Sequence, residues 1–579
     1  MKTLLKYYKP YVFIIIMNLA FLFGQAMCEL ALPGYMSDII NEGIVKGDMA
    51  FIKHTGLIML LVAAGSALFA AAGSYTAARA AAGSSRDIRS ALFAKVTGFS
   101  AAELDEFSTA SLITRSTNDV QMVQQATVMI LRLACFAPMM GIGAVIRALQ
   151  TSVSLSWTVG VALVVILCIM LMAFFLVLPR FKVLQSKLDR LNLIMKERLS
   201  GILVIRAFNT ESQEQERFDG ANVELTRINM FVNRAMSFMM PALMFVMNAV
   251  SILIIWAGSH LIEAQNLMIG DMLAYLQYAM HVIMSFLYIT MMFIMIPRAF
   301  VSGQRIGEVL DVKASIEDPV EPHSISRHEG VVEFRNVSFA YPGAEEKTLE
   351  NISFTARPGS TTAVIGGTGS GKSTLVSLIP RFYDATEGKV LFDGVDIRDL
   401  TQHELREHIG YVPQKGVLFS GTIGSNLRYG NDDADENALL EAAETAQAID
   451  FINEKENRFD EEVAQGGTNV SGGQKQRLSI ARALLRKPEV FIFDDSFSAL
   501  DFKTDKALRK ALAEKAQDST IIIVAQRINT ILDADQILVL DEGRLAGIGT
   551  HDELMETCDI YREIALSQLS EKELERGRG

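Results

Sequence analysis

Residues 361–378, "TTAVIGGTGSGKSTLVSL", join three local patterns in a fixed order. A β-branched and apolar run, typical of a buried strand, leads into a loop with glycine at four of six positions, and a helical pattern begins at Lys372. Glycine places no Cβ between the backbone and a ligand, so successive N–H groups of such a loop can converge on phosphate oxygens. The stretch therefore predicts a strand–loop–helix unit that binds phosphate, helped by the positive end of the helix dipole.

The spacing within the loop makes this prediction specific. Gly366, Gly371, Lys372 and Ser373 match the Walker A pattern G-x-x-x-x-G-K-[ST] in its required strand–loop–helix setting. We expect Lys372 to contact the β- and γ-phosphates of ATP and Ser373 to be a ligand of Mg²⁺. The predicted nucleotide-binding residues of this stretch are Gly366, Thr368, Gly369, Ser370, Gly371, Lys372, Ser373 and Thr374.

A second apolar run, "VFIFDD" at residues 490–495, ends in two carboxylates. This is the complementary Walker B pattern, a buried strand that delivers its first carboxylate, Asp494, to the magnesium ion. Asp495 comes next, at a position where ATP-hydrolysing proteins usually carry glutamate. The sequence thus raises the question of whether this chain hydrolyses ATP at its own site.

Composition divides the chain into two halves. Half of the 579 residues are hydrophobic, and the formal net charge of −12 gives no indication of a nucleic-acid partner. A bilayer is crossed by roughly 20 apolar residues. We predict six such spans, near residues 11–36, 56–80, 125–149, 156–178, 236–261 and 271–297. Lys and Arg concentrate in the two long connections between spans, which places these connections and both termini in the cytoplasm of a multi-pass cell-membrane protein.

The two long connections, residues 80–107 and 177–234, keep helical periodicity with few breakers. We interpret them as membrane helices that continue far into the cytoplasm as levers, with solvated connecting helices as the alternative. Residues 311–330 contain two prolines and no periodicity, which indicates a linker. The predicted domains are a transmembrane domain at 1–310, this linker, and a nucleotide-binding domain at 331–579.

The residues from "VSGGQ" to "SALD" carry a family resemblance. Ser471, Gly472, Gly473 and Gln474, then the Walker B strand, then "SALD" ending at Asp501, resemble the nucleotide-binding domain of ABC transporters. The resemblance implies that Tyr341 stacks on adenine, and that Gln414 senses magnesium and contacts the membrane domain. The six-span half resembles the exporter branch, which implies an all-α transmembrane domain followed by an α/β P-loop NTPase domain. Residues 107–120 and 197–213 look like its coupling segments, although the first has Ala110-Ser111 where a glycine is common.

In this family two nucleotide domains face each other, and each ATP lies between the Walker A loop of one chain and the signature of the other. The half-site on this chain's own Walker motifs departs from the family pattern at Asp495, which replaces glutamate, and at Gln526, which replaces histidine. Gln465 is a softer change from an acidic residue. The signature is intact apart from Val470 in place of leucine. The predicted catalytic groups are Gln414, Asp495 and Gln526. The resemblance implies that this chain is the degenerate half of a heterodimeric exporter, whose partner carries the main catalytic carboxylate.

Two alternatives stay open: a slow homodimeric exporter, and an ATP-gated channel or regulatory member of the family. The expected partners are the lipid bilayer and a transported substrate, an amphipathic or hydrophobic small molecule or peptide. Glu29, Arg132 and His281 lie in or near spans, where ionisable groups are often functional, and are left open as cavity residues.

Overall fold

A computed structural model describes residues 2–568 of the chain, so residues 569–579 of the predicted nucleotide-binding domain lie outside the description. The chain forms two compact units. The first comprises Met1–Thr97 and Thr109–Val312, and the second Gly98–Ser108 and Lys313–Gly579. The second unit therefore includes a short segment that the sequence places within the transmembrane half.

The described part of the first unit consists of helices. The α-helices before the nucleotide-binding domain are α1 Lys2–Leu5, α2 Val12–Asp38, α3 Met49–Thr97, α4 Ala101–Glu106, α5 Thr109–Thr114, α6 Val120–Met129, α7 Cys135–Thr151, α8 Ser156–Ser200, α9 Ile202–Phe208, α10 Glu211–Glu263 and α11 Ile269–Asp311. Of these, α4 belongs to the second unit. Short π-helical turns at Ile39–Ile44, Arg115–Asp119 and Ile130–Ala134 continue neighbouring helices without a break.

The six predicted spans are confirmed. Within the described residues, six helical stretches are long and apolar enough to cross a membrane, and each overlaps one predicted span. They are Thr3–Ile44, Met49–Thr97, Thr109–Thr151, Val153–Met172, Glu211–Glu263 and Ile269–Ile289.

Several of these helices are longer than a membrane requires. Helix α10 has 53 residues, which at 1.5 Å per residue is about 80 Å, against roughly 30 Å of hydrocarbon. The predicted helical continuity of residues 177–234 is confirmed except for a short break. Helix α8 ends at Ser200, α9 spans Ile202–Phe208, and Asn209 ends α9 in a left-handed conformation with φ of 56°.

Close packing of small residues joins the first two spans. Ala77, Ala80 and Ala81 of α3 are fully buried, and such small residues allow helices to approach closely. Asn18 of α2 is also buried, and its side-chain amide donates to the Gly73 carbonyl at 2.7 Å and to the Thr76 hydroxyl at 3.1 Å. These bonds satisfy the NH₂ group of the Asn18 amide, whereas its buried Oδ1 has no hydrogen-bond partner among the described residues. The two donated bonds join α2 to α3 as a specific pair.

The second unit is built on β-sheets covered by helices. Its strands are β1 Val332–Phe339, β2 Leu349–Ala356, β3 Thr361–Gly366, β4 Glu387–Phe392, β5 Val395–Asp396, β6 Ile409–Val412, β7 Gly421–Thr422, β8 Glu462–Val463, β9 Val490–Asp494, β10 Thr520–Val524, β11 Gln536–Asp541 and β12 Arg544–Gly549. Its further helices are α12 Lys372–Leu378, α13 Gln402–Glu407, α14 Ile423–Arg428, α15 Glu436–Thr445, α16 Ile449–Asn453, α17 Gly472–Leu485, α18 Phe502–Lys515, α19 His551–Thr557 and α20 Asp559–Gln568.

The central sheet has the strand order β12-β11-β3-β10-β9-β6 and is parallel except for its edge strand β12. A four-stranded antiparallel sheet, β2-β1-β4-β5, and the two-stranded pair β7-β8 complete the domain. The predicted fold class, a helical membrane domain followed by an α/β domain, is confirmed. Because β3, β6, β9 and β10 run parallel, their carboxyl ends meet at one edge, where such sheets bind ligands.

The segment Gly98–Ser108 is held in the second unit by polar contacts. The carboxylate of Glu103, buried in α4, accepts from the backbone N–H groups of Ser100 and of Ser315, at 2.7 and 2.8 Å. Burial by itself raises the pKa of Glu103, but hydrogen bonds from the side chains and the backbone N–H groups of Ser100 and Ser315 outweigh it, and the net pKa is lowered. The Tyr383 hydroxyl donates to Asp105 at 2.7 Å. The segment is thus fastened at two points.

We expect Gly366→Ala to destabilise the nucleotide-free protein, because a Cβ at this position would meet the Leu540 carbonyl oxygen at 2.1 Å. Overpacking of this kind costs about 1–3 kcal/mol, and a backbone atom cannot move aside as a side chain can. Gly367→Ala is the matched control, since nothing lies within 4 Å of its Cβ position. Thermal unfolding without nucleotide checks this: equal midpoints for the two variants would contradict the packing argument.

Candidate nucleotide site

The Walker A loop leaves β3 and enters α12 through residues with left-handed backbone. Gly369 and Gly371 have φ of +86° and +93°, a conformation that other residues adopt at a cost. The Lys372 ammonium folds back over the loop and donates to the carbonyl oxygens of Gly366 and Gly367, at 3.0 and 2.7 Å. Burial lowers the pKa of Lys372, an effect that Asp495 and Asp494 partly offset. The cation is therefore held at the centre of the predicted phosphate cradle.

Two independent observations indicate that the loop can accommodate a phosphate. The Ser370 hydroxyl is buried, with 4% of the residue exposed, and has no hydrogen-bond partner among the described residues. An orphaned buried hydroxyl carries a desolvation penalty that a ligand oxygen would remove. Gly367 and Gly369 have no atom within 4 Å of their Cβ positions, so the loop borders open space. The residues present therefore fit the phosphates of ATP.

Two of the three residues predicted at the magnesium ion, Ser373 and Asp494, lie side by side, while the third, Gln414, donates to Asp495. The Ser373 hydroxyl at the start of α12 donates to Asp494 Oδ1 at the end of β9, at 2.8 Å. Burial raises the pKa of Asp494, which the bond from Ser373 partly offsets. A hydroxyl and a carboxylate are oxygen ligands of the kind that Mg²⁺ prefers, and a divalent cation would favour the ionised carboxylate. The pair therefore fits one edge of a magnesium coordination shell.

Three predicted catalytic residues converge on a single oxygen atom. Asp495 follows β9 with φ of +47° and is 7% exposed. Its Oδ2 accepts a hydrogen bond from the Gln526 amide, after β10, at 2.7 Å, and another from the Gln414 amide, after β6, at 3.0 Å. The structure thus brings together residues 31 and 81 positions apart in the chain.

Tyr341, expected to stack on adenine, lies beside the loop. Its hydroxyl shares a 2.9 Å hydrogen bond with Thr374, and its ring meets the rings of Phe339 and Tyr383 edge-on or nearly so. Tyr341 is half-buried, so part of its side chain remains available to a ligand. Its adenine contact stays a prediction.

The signature residues make local contacts and face solvent. Ser471 is the N-cap of α17 and forms a capping box with Gln474, while Ser471 and Gly472 are exposed. Asp501 caps α18 in a similar way by accepting from the Thr504 backbone at 3.0 Å. Both caps leave a helix N-terminus open to an external partner. The roles of Gly473, Gln474 and Asp501 toward a nucleotide stay predictions.

Two residues of the site, Tyr411 and Gln568, were not predicted from the sequence. The Tyr411 hydroxyl donates to Asp494 Oδ2 at 3.4 Å, and burial raises the pKa of this tyrosine. Gln568, near the end of α20, donates to the Gln526 carbonyl at 2.9 Å and accepts from the Ile528 backbone. Tyr411 could have been found, since it lies three residues before Gln414 in an apolar run. Gln568 carries no local signal, because only the fold brings α20 to this edge.

Comparison with known proteins agrees with this geometry. Residues 15–286 match the family model for the ABC transporter transmembrane region, and residues 349–498 the model for ABC transporters. The chain belongs to the ABC transporter family. It is an ABC exporter with fused transmembrane and ATP-binding domains, a multi-pass membrane protein in a class that works as dimers and couples ATP hydrolysis to transport.

Particular relatives cover nearly the full length. An uncharacterized ABC transporter ATP-binding protein of Mycobacterium tuberculosis is 39% identical, with 97% of each chain covered. The ATP-dependent lipid A-core flippase of Haemophilus ducreyi is 30% identical over 94% of each chain. Among solved structures, a bacterial Atm1-family ABC exporter with ATP bound is similar with a TM-score of 0.77 at 25% identity, covering 98% of this chain and 99% of that one.

Ser373→Ala is expected to remove most of the magnesium dependence of ATP binding, because the substitution deletes one predicted ligand. Loss of groups around a metal typically costs about 10–100-fold in metal affinity. Ser377→Ala is the matched control: it lies in the same helix, and its hydroxyl bonds the Thr374 carbonyl. ATP affinity measured with Mg²⁺ and with EDTA checks this, and an unchanged ratio in Ser373→Ala would contradict the assignment.

Proposed function

We propose that this chain is the degenerate half of a heterodimeric ABC exporter: it binds ATP at its own Walker site and lends its signature to the catalytic site of a homologous partner. The observation that carries the proposal is the environment of Asp495, whose Oδ2 accepts hydrogen bonds from both Gln526 and Gln414. A carboxylate oxygen engaged in this way has less capacity left to orient water or accept its proton.

Side-chain length adds to this effect. Aspartate has one methylene fewer than glutamate, which withdraws the carboxylate from a water at the γ-phosphate by about 1 Å, and such a misplacement can cost ~100-fold in rate. Gln526 is a neutral donor, whereas a histidine at the same place can become cationic and form a stronger, charge-assisted bond to phosphate. Both changes act on the same reacting group, which supports a site built to hold ATP more than to cleave it.

The other half-site supports the complementary role. Ser471 and Gly472 stand exposed at the N-terminus of α17, a helix of 14 residues whose positive end suits an anion. A homologous chain that carries glutamate and histidine at the positions of Asp495 and Gln526 would complete one competent site against this signature. The second coupling segment, residues 197–213, also suits pairing with a homologous chain. Leu203 and Phe208 of α9 are about three-quarters exposed and suit contact with a domain of the partner.

For the substrate we propose an amphipathic or hydrophobic compound reached from the bilayer. The relative from Haemophilus ducreyi is named as a flippase of a lipid. In this chain Glu29 of α2 accepts from Gln25 at 2.9 Å and from Ser66 of α3 at 3.4 Å, which forms a polar patch within apolar helices. His281 is half-buried in α11, while Arg132 is exposed. Such a patch suits the polar part of an amphipathic molecule.

Repairing the degenerate residues should activate the chain alone. We expect the double variant Asp495→Glu, Gln526→His to raise ATP turnover of the purified chain by about 100-fold, because the signature needed by a homodimer is already intact. Adding Lys372→Ala to the repaired chain is the control and should remove the gain. Two results would contradict the proposal and favour a homodimeric exporter. One is ATP turnover by the wild-type chain alone that is as fast as turnover by a two-chain complex, and the other is no gain in turnover for the double variant.

Within the complex, the two halves of this chain should differ in importance. Ser471→Arg places bulk and removes a phosphate contact at the competent site, which typically costs about 3 kcal/mol or ~100-fold in rate. Asp495→Asn changes the slow site and is expected to cost far less. Steady-state ATP hydrolysis and substrate transport by the variants, co-expressed with the wild-type partner, check this. If Asp495→Asn reduced ATP hydrolysis more than Ser471→Arg does, the assignment of the competent and degenerate half-sites would be reversed. ATP-dependent flux without transport against a gradient would indicate a channel.

A further inference from the structure

Two histidines and a glutamate cluster at the edge of the central sheet opposite to the nucleotide site. His408 immediately precedes β6, Glu489 immediately precedes β9, and His328 lies in the irregular segment that leads to β1. One potential ligand atom from each of the three lies within 4.8 Å of the others. The three residues form no local motif and lie up to 161 positions apart in the chain.

The glutamate bridges the two imidazole rings. His408 Nδ1 lies 3.0 Å from Glu489 Oε2, and His328 Nδ1 lies 3.9 Å from Glu489 Oε1. The two ring centroids are 5.1 Å apart. One carboxylate oxygen of Glu489 is thus within hydrogen-bond distance of His408, and the other oxygen faces His328 at a longer distance, so that the carboxylate lies close to both rings.

The backbone that carries these side chains is held in place. The Val490 N–H donates to the His408 carbonyl at 3.0 Å, which ties two of the ligands together in the β6–β9 register. Near His328, Gly330 packs so closely on Glu489 that a Cβ would meet the Glu489 carbonyl oxygen at 2.7 Å. The Thr520 hydroxyl donates to the Gly330 carbonyl at 2.6 Å. Ligands on such a fixed backbone lose little entropy when they bind an ion.

The chemistry of the three groups selects a class of metal. Two imidazole nitrogens with one carboxylate form the His₂Glu set found at zinc sites, whereas Mg²⁺ and Ca²⁺ prefer oxygen ligands alone. Zinc–nitrogen bonds of about 2.1 Å place tetrahedral ligand atoms about 3.4 Å apart, so the cluster must contract slightly. His328 is the exposed member, with 60% of its side chain accessible, and is free to make that movement. Its exposure also gives an ion and a water ligand access from solvent.

We propose that His328, His408 and Glu489 bind a transition-metal ion, Zn²⁺ in the first place, which fastens the segment before β1 to the starts of β6 and β9. These two strands carry Gln414 and Asp495 just beyond their far ends, six residues from the cluster, which is about 20 Å of extended chain at 3.3 Å per residue. The ion is thus structural and separate from nucleotide chemistry. By binding the folded domain and not the unfolded chain, it stabilises the domain that presents the catalytic edge.

The test titrates Zn²⁺ into the full-length chain, freed of any affinity tag and of metal, with excess Mg²⁺ to occupy oxygen-only sites. Calorimetry should give about one Zn²⁺ per chain for the wild type. His328→Ala and Glu489→Gln should each bind at least about tenfold more weakly, since even outer partners of a metal site contribute 10–100-fold. Because His328 is exposed, its removal leaves the packing of the domain unchanged.

His403→Ala is the matched control. His403 lies five residues before His408 in α13, is 86% exposed in its side chain, and pairs with Glu407 at 3.1 Å, outside the cluster. Zn²⁺ should raise the unfolding temperature of the wild type and of His403→Ala but not that of His328→Ala. No saturable Zn²⁺ binding by the wild type, or an affinity in His328→Ala equal to that of the wild type, would overturn the proposal.

Discussion

The convergence of four parallel strand ends is the constraint on which the nucleotide site depends. Strands β3, β10, β9 and β6 are hydrogen-bonded neighbours in one sheet, and each ends at the same edge. The chain must turn sharply there, and the turn after β3 is the glycine-rich loop whose backbone N–H groups find no partners within a strand. An edge where a glycine-rich loop and a helix N-terminus lie beside the carboxylates at the end of β9 has the chemistry that a nucleotide and its magnesium ion require.

The same constraint explains why small side-chain changes at this edge matter. Asp495, Gln414 and Gln526 come from the ends of three adjacent strands, so their mutual distances are set by the sheet and cannot relax independently. Asp495 lies between the two amides. In the proposed function, this shorter acid would stay there instead of reaching toward the phosphate. In the proposed heterodimer, the sheet would turn the loss of one methylene into a functional difference between the two half-sites.

The sheet also has an opposite edge, and β6 and β9 connect the two. At their starts His408 and Glu489 lie together with His328, and beyond their ends Gln414 and Asp495 lie together. Both pairings result from the parallel register in which Ile409 lies opposite Val490 and Val412 opposite Phe493. The two strands that join these clusters are only four and five residues long.

The sequence alone determined what is local. The Walker A loop, the Walker B strand, six membrane spans and the long helical extensions are each encoded in one continuous stretch, since glycine spacing, apolar length and helical period act on neighbouring residues. The tertiary structure decided what depends on register. It placed both glutamines on one oxygen of Asp495, brought Tyr411 to Asp494 and Gln568 to Gln526, and assigned Gly98–Ser108 to the second unit through Glu103 and Asp105. Hydrogen bonds of this kind join residues tens to hundreds of positions apart, and their geometry exists only after the strands have paired and the helices have packed.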